Sequence, residues 1–176
     1  MTNTLYKTSL EQITKFFDKN GWKPLPFQIE SWQAYLNGEN GIIQVPTGCG
    51  KTYAALMGPL SKLNNCRKKS GLNILLITPL KALSRDLKNA IDSAAKFFDE
   101  EITVGIRNGD TSPYEKKKQI FNPPNILITT PESLSLLICN KESKNIFICS
   151  KDFLLVVMVI IYLSLIYEHL LKYQHL

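Results

Sequence analysis

The sequence predicts an α/β fold built on a mainly parallel sheet. Three observations carry that expectation. Apolar runs of strand length alternate with helical periodicities, a glycine-rich turn joins the first apolar run to a helix, and a polar cluster follows each of the next three apolar runs. Parallel strands need crossover helices, so the sheet is expected to be covered on both faces.

Each element follows from its local pattern. Ser9 with Gln12 makes a capping box, and Leu10, Ile13, Phe16 and Phe17 continue at helical spacing until Asn20-Gly21 ends the run. A second helix is expected over 27–36, stopped by Asn37-Gly38. Gly41 to Val45 reads as a short buried strand, and KTYAALMGPL from Lys51 opens a helix. Arg67-Lys68-Lys69-Ser70-Gly71 reads as an exposed connection and Asn73 to Ile77 as a buried strand. Leu83, Leu87, Ile91, Ala94 and Phe98 mark one face of a helix, and Thr103 to Ile106 is a further short strand. Ser112-Pro113-Tyr114-Glu115 is a capping box with proline at the first helical position. Ile126 to Ile128 is the last of these strands, and Thr130-Pro131-Glu132 starts a helix running to about Ile138.

The chain has 176 residues, enough for one core, and its 44% hydrophobic and 20% charged residues exclude a disordered chain. A net charge of +6 is compatible with a nucleic-acid partner and equally with an ordinary basic protein. Cys49, Cys66, Cys139 and Cys149 form no C-x-x-C pair and no zinc spacing with His169 and His175. Free thiols of a reducing cytoplasm are therefore expected. The N-terminal segment has no apolar signal core, and membrane association is not expected.

The turn Gln44-Val45-Pro46-Thr47-Gly48-Cys49-Gly50-Lys51-Thr52 carries the most chemistry. Gly48 and Gly50 permit positive φ, which aims successive N–H groups and a helix N-terminus at an anion. Lys51 supplies a charge for β/γ-phosphates and Thr52 a hydroxyl for Mg²⁺, so Thr47, Gly48, Cys49, Gly50, Lys51 and Thr52 form a candidate nucleotide-phosphate site. Val45 stands where the strict G-x-x-x-x-G-K-T pattern has glycine. Cys49 reads as a small filler of a small space, with redox sensitivity as the sharper alternative.

Polar clusters follow three successive strands. They are Thr78-Pro79 with Lys81 and Arg85, then Arg107 with Gly109-Asp110-Thr111, then Thr130-Pro131-Glu132. Carboxyl-end loops share one edge of a parallel sheet, so these residues are candidates for phosphate-sugar contacts along a nucleic-acid strand. Taken singly, each cluster reads as an ordinary helix start. Lys116-Lys117-Lys118 reads as a solvated helix face, or as an extension of that edge.

PTGCGKT, TPLKAL, RNGDTS and ITTPESLSLL resemble motifs I, Ia, Ib and Ic of superfamily 2 DEAD/DExH-box helicases, most closely the Lhr-like group. Upstream, Phe17, the run Asn20 to Gln28 and Trp32 resemble the segment before the phosphate loop in ligase-associated DExH-box DNA helicases. The resemblance covers roughly residues 10 to 140. It implies a RecA-like P-loop NTPase domain with ATP and Mg²⁺ as ligands and single-stranded or partly duplex DNA, or RNA, across the sheet edge. It also implies DNA ligase and nuclease repair partners, and an adenine contact from Gln28, which otherwise reads as a solvent-facing amide.

The resemblance divides the chain into N-terminal helices with the adenine-side glutamine (1–40), a first RecA-like domain (41–140) and an atypical apolar tail (141–176). It also implies a D-E-x-H motif after the next strand, with an Asp on Mg²⁺ and a Glu activating water. Val156-Val157-Met158-Val159-Ile160-Ile161-Tyr162 stands there without an acid, so the domain reads as incomplete at its C-terminus. The apolar run from Phe153 to Tyr167 is short for a membrane span. It reads as a buried strand and helix, an interfacial segment, or a shifted reading frame. The loss of family character near Asn140 favours the last. The expectation is thus the ATP- and nucleic-acid-binding part of a DNA-repair helicase, inactive alone. The alternatives are a non-catalytic nucleotide-dependent binding module and a small P-loop kinase or ATPase.

Overall fold

The computed structural model describes residues 2–46, 48–65, 71–79, 81–140, 146 and 154–157. Its elements are α1 Thr2–Lys19, α2 Pro26–Leu36, α3 Lys51–Asn64, β1 Ile74–Ile77, α4 Lys81–Phe98, β2 Val104–Arg107, α5 Pro113–Phe121, β3 Ile126–Thr129, α6 Pro131–Cys139 and β4 Leu154–Val157. The strands form one sheet in the order β2-β3-β1-β4, with every pair parallel. This is the α/β architecture that the alternating pattern predicts.

Register fixes which residues end level with one another. Ile77 lies opposite Thr129 and Val157, and Arg107 lies opposite Thr129. The period of two along each strand then builds a core on each face. Ile74, Leu76, Ile126 and Ile128 join Phe16, Trp32, Met57, Leu60 and Ile91 on the side of α1 to α4. Leu75 and Leu127 join Leu72, Ile120 and Leu137 on the side of α5 and α6.

Asn125 stitches the amino ends of the strands. Its Nδ2 donates to the Gly71 carbonyl at 3.3 Å and to Asn73 Oδ1 at 3.2 Å. Its Oδ1 accepts from Thr103 N at 2.9 Å and from Thr103 Oγ1 at 3.0 Å.

Three expectations are corrected. First, α1 starts at Thr2, so Ser9 is no cap; it is fully buried mid-helix and its Oγ accepts from Asn65 Nδ2 at 3.2 Å, joining α1 to the end of α3. Second, 41–45 forms no strand. Both sides of β1 are taken by β3 and β4, no ladder forms along 41–45, and Ile42 is 95% exposed. An apolar run becomes a strand only where a neighbour offers backbone partners. Third, the sheet does not end with β3, the last strand expected up to Asn140: β4 adds a strand from within the apolar tail, as the strand alternative for that run has it.

The Arg67 to Ser70 connection, Cys66, Cys149, and residues 158–176 with His169 and His175 lie outside the described residues. Among the described residues no helix is long and apolar enough to cross a membrane.

The two-sided core predicts a contrast. Leu76→Ala should lower stability by about 2–5 kcal/mol, as for other buried leucines. Leu136→Ala, at a side chain 74% exposed, should change it by less than about 0.5 kcal/mol. Urea unfolding of both variants checks this.

Candidate functional site

The glycine-rich turn takes the backbone its residues predict. Gly48 and Gly50 have φ of 83° and 81°, and Gly50 is the N-cap of α3. No side chain caps that helix end, and the first described helical bond at its start runs from Ala54 N to Gly50 O at 3.2 Å. The N–H groups of Lys51, Thr52 and Tyr53 therefore precede the first intrahelical donor, the arrangement that receives anions. Lys51 Nζ donates to the carbonyls of Val45 at 2.7 Å and Pro46 at 2.8 Å, which folds the ammonium across the turn. Thr52 is half-buried at the second helical position, and Cys49 is a half-buried free thiol. Thr47 lies outside the described residues.

α2 holds this turn in place through two side chains four residues apart, hence on one helix face. Gln28 is 4% exposed; its Oε1 accepts from Leu25 N at 2.9 Å and its Nε2 donates to the Gly50 carbonyl at 3.0 Å. The solvent-facing reading of Gln28 is therefore corrected: the amide is spent on the chain's own backbone. Trp32 Nε1 donates to the Tyr53 carbonyl at 3.0 Å. A Cβ on Gly50 would stand 2.7 Å from Gln28 Nε2, so a side chain there would strain the positive φ and also force the amide to shift from its bond to the Gly50 carbonyl. The sequence reading gave Trp32 no role of its own. Its spacing of four from Gln28 is the signal that could have found it.

Behind the turn, Phe16, Phe17, Trp22, Trp32 and Tyr53 pack with ring centroids 5.1 to 6.1 Å apart. Burial raises the Tyr53 phenol above its ordinary pKa, so it stays neutral.

The three polar clusters lie at the carboxyl edge of adjacent strands. Thr78 N donates to the Thr129 carbonyl at 2.8 Å, and Thr129 Oγ1 donates to the Arg107 carbonyl at 2.8 Å, which levels the ends of β1, β3 and β2. Thr130 is buried as the N-cap of α6 and accepts from Ser133 N at 3.4 Å, with Pro131 and Glu132 exposed beside it. Thr78 is buried and Pro79 half-buried; Lys81 opens α4 and Arg85 is exposed one turn on. Gly109 and Asp110 are exposed in a turn closed by Asn108 N donating to Thr111 Oγ1 at 3.0 Å and Asp110 N donating to Asn108 Oδ1 at 2.9 Å.

Arg107 is a correction. Expected as a phosphate contact, it is 8% exposed, and its Nη1 donates to the Lys116 carbonyl at 2.8 Å and to Gln119 Oε1 at 3.3 Å. Gln119 Nε2 in turn donates to the Ile106 carbonyl at 2.9 Å. Desolvation lowers the pKa of Arg107, and the guanidinium clamps α5 onto the end of β2 rather than facing outward.

Among the described residues no cluster of His, Cys, Asp or Glu could hold a metal. The groups at the turn fit the phosphates of a nucleotide, since a positive-φ glycine turn, an uncapped helix start and Lys51 meet there. A bound Mg²⁺ would find Thr52 Oγ1 and would otherwise depend on phosphate oxygens and water.

Comparison with known proteins agrees with this layout. The family profile described as DEAD/DEAH box helicase matches residues 25–158, so the match runs through β4 and past Asn140. The ATP-dependent helicase Lhr-Core of Sulfolobus acidocaldarius is 41% identical over 152 residues, covering 76% of this chain and 17% of that protein. The Lhr helicase/uracil glycosylase of Escherichia coli is 35% identical over 134 residues, covering 66% of this chain and 9% of that protein. The chain thus spans less than a fifth of either relative. The structure of Mycobacterium smegmatis helicase Lhr bound to ssDNA and AMP-PNP superposes with a TM-score of 0.71 at 31% identity, over 85% of this chain and 19% of that one.

Two predictions follow from the geometry. Gly50→Ala should destabilise the fold by about 1–3 kcal/mol through positive φ and the clash with Gln28. Its cost should shrink by at least about 0.5 kcal/mol in a Gln28→Ala background, a coupling that a double-mutant cycle by denaturation reads directly. Arg107→Ala should cost about 1.5–3 kcal/mol, because it removes charge-assisted bonds that dock α5. It should leave the salt slope of nucleic-acid binding unchanged, whereas loss of a phosphate contact would lower that slope by about 1.

Proposed function

Because the chain belongs to the DEAD/DEAH box helicase family, we propose that it forms the first RecA-like domain of an Lhr-like DNA helicase. In this reading residues 47–52 bind the phosphates of ATP, Gln28 lies on the adenine side, and a single DNA strand runs along the carboxyl edge of the sheet. One observation carries it: β1, β2 and β3 end in register, so Thr78, the turn from Asn108 to Thr111, and Thr130 each directly follow one of three neighbouring strands. Neighbouring strands lie about 4.8 Å apart, so the three clusters span roughly 10 Å, suited to a backbone that passes across rather than along the sheet.

ATP, when bound, supplies the free energy of phosphoryl transfer to water. The chain's own part is to bind and orient it. The α3 N–H groups would receive phosphate oxygens, and Lys51 would turn from the Val45 and Pro46 carbonyls to the phosphates. Thr52 would hold Mg²⁺. Buried Thr130 caps α6, while buried Thr78 and Thr129 set the backbone; the exposed Arg85, Gly109, Asp110, Pro131 and Glu132, with Lys81 and the half-buried Thr111, would meet the strand, positioning it without reading its sequence.

Hydrolysis is where this chain departs from the family reading. β4 ends at Val157, and Met158-Val159 follow where the resemblance implies the metal-binding Asp and the water-activating Glu. Apolar side chains perform neither task. The proposal is therefore a domain that binds nucleotide and strand but does not turn ATP over by itself, with a shift of reading frame after β4 as the proposed origin of the tail. The intact parent would act in DNA repair with ligase and nuclease partners in the cytoplasm. Met158 and Val159 also favour a second reading, a nucleotide-dependent binding module without catalysis.

The test is ATP turnover by the purified chain with and without single-stranded DNA. Turnover is expected to stay at the level of a Lys51→Ala control, since losing such catalytic groups costs about 10³-fold or more each. DNA-stimulated hydrolysis abolished by Lys51→Ala would show a catalytic acid elsewhere and overturn the non-hydrolysing reading. A folded chain that binds neither ATP nor DNA would overturn the helicase-domain reading itself.

A further inference from the structure

The outer face of α5 carries a stripe that neither the phosphate loop nor the edge clusters use. Tyr114, Lys117, Lys118 and Phe121 fall at i, i+3, i+4 and i+7, the spacing of a single helix face. Tyr114 is 80% and Phe121 74% exposed, and both lysines are exposed. The opposite face is buried through Gln119 and Ile120, and Arg107 fixes it to β2. The stripe is therefore presented by a helix that cannot roll to hide it.

The two rings are seven positions apart, about 10 Å along the helix, with two ammonium groups between them. Exposed rings interleaved with cations suit single-stranded nucleic acid. Every base has a face that stacks on an aromatic ring, and the phosphates between bases meet the lysines. A helix with three lysines and one acid, Glu115, gives the charge sign an anionic strand requires. The stripe also begins where the edge surface leaves off, since Ser112 caps α5 directly after Asp110 and Thr111.

We propose that Tyr114 and Phe121, with Lys117 and Lys118, form an accessory track on which bases of a single strand stack after it leaves the sheet edge. The inference rests on the reading of that edge as strand-binding. It adds base contacts to a surface otherwise limited to the sugar-phosphate backbone, and so predicts a sensitivity to bases that the edge alone does not confer.

The experiment uses the whole chain and two labelled strands of equal length, oligodeoxythymidine and its abasic counterpart, followed by fluorescence anisotropy. Tyr114→Ala and Phe121→Ala should each weaken binding of the base-bearing strand by about tenfold while leaving the abasic strand unchanged. The double variant Lys117→Ala/Lys118→Ala should weaken both strands and flatten the salt dependence. All four side chains are exposed, so unchanged thermal melts are expected and separate binding from folding. If the wild-type chain binds both strands and the ring variants leave both unchanged, or weaken both equally, the track is overturned while the edge reading stands. If the wild-type chain binds neither strand, the edge reading and the track fail together.

Discussion

The Gln28 amide is the contact on which the geometry of the glycine-rich turn, the candidate nucleotide site, depends. Its carbonyl is fixed by Leu25 N and its Nε2 by the Gly50 carbonyl, so the start of α2 and the N-cap of α3 are set by one planar group. Gly50 permits this doubly, through φ of 81° and through the missing Cβ. An amide with both ends engaged transmits displacement: whatever moves the Gly50 carbonyl must move Gln28 or break the bond. Trp32, one turn on, repeats the tie at Tyr53, and the aromatic cluster behind both makes that face of α2 rigid. The site is accordingly organised from the helices on one side of the sheet rather than from a strand leading into it.

A second constraint, the parallel register, organises the other surface. Thr129 lies level with Ile77 and Arg107; its hydroxyl donates to the Arg107 carbonyl and its carbonyl accepts from Thr78 N. The buried threonines at this edge contribute backbone order, while the groups available to a ligand are the exposed residues that follow them. Arg107 belongs with the first kind. A guanidinium donates in a fixed fork, and here it donates to a helix carbonyl and a glutamine, which sets the angle at which α5 leaves the sheet. Charge by itself says nothing about which way a side chain faces.

That distinction marks what the sequence made legible. The strands at 74–77 and 126–129 were readable because each is an apolar run between polar boundaries, and the helix starts at Ser112 and Thr130 because a hydroxyl, a proline and an acid coincide there. The positive-φ glycines of the turn were readable because their spacing agreed with Lys51-Thr52 and the helix that follows, although the strand expected before them is absent. The segment 41–45 was misread because its pattern is apolar but its strand character depends on a neighbour elsewhere in the chain. Ser9 was misread because a buried hydroxyl with a partner on α3 has the same local pattern as a cap. The burial of Arg107 and the paired ties of Gln28 and Trp32 are tertiary facts with no local signature beyond spacing. The reach of the family pattern to β4 was missed because apolar strand residues look alike whether a catalytic acid or a methionine follows them.

The two flanks of the phosphate turn are held unequally, and this bears on how it would accept a nucleotide. After the turn, α3 is tied by Gln28 and Trp32 and buried through Leu56, Met57 and Leu60. Before it, 41–46 forms no ladder, and Lys51 Nζ bridges back to the Val45 and Pro46 carbonyls. The ammonium thus satisfies, within the chain, carbonyls that a strand ladder would otherwise satisfy. A phosphate drawing Lys51 away would leave both carbonyls to water and release 41–46 from its remaining tie among the described hydrogen bonds. Differential affinity for the two arrangements sets the size of any such shift. In the proposed reading, the affinity of this chain for nucleotide would be governed as much by what replaces Lys51 at Val45 and Pro46 as by the contacts the phosphates gain. A neighbouring strand that paired 41–45 would remove that cost, so in the proposed reading the backbone before the turn, rather than the turn, is where nucleotide affinity would be tuned.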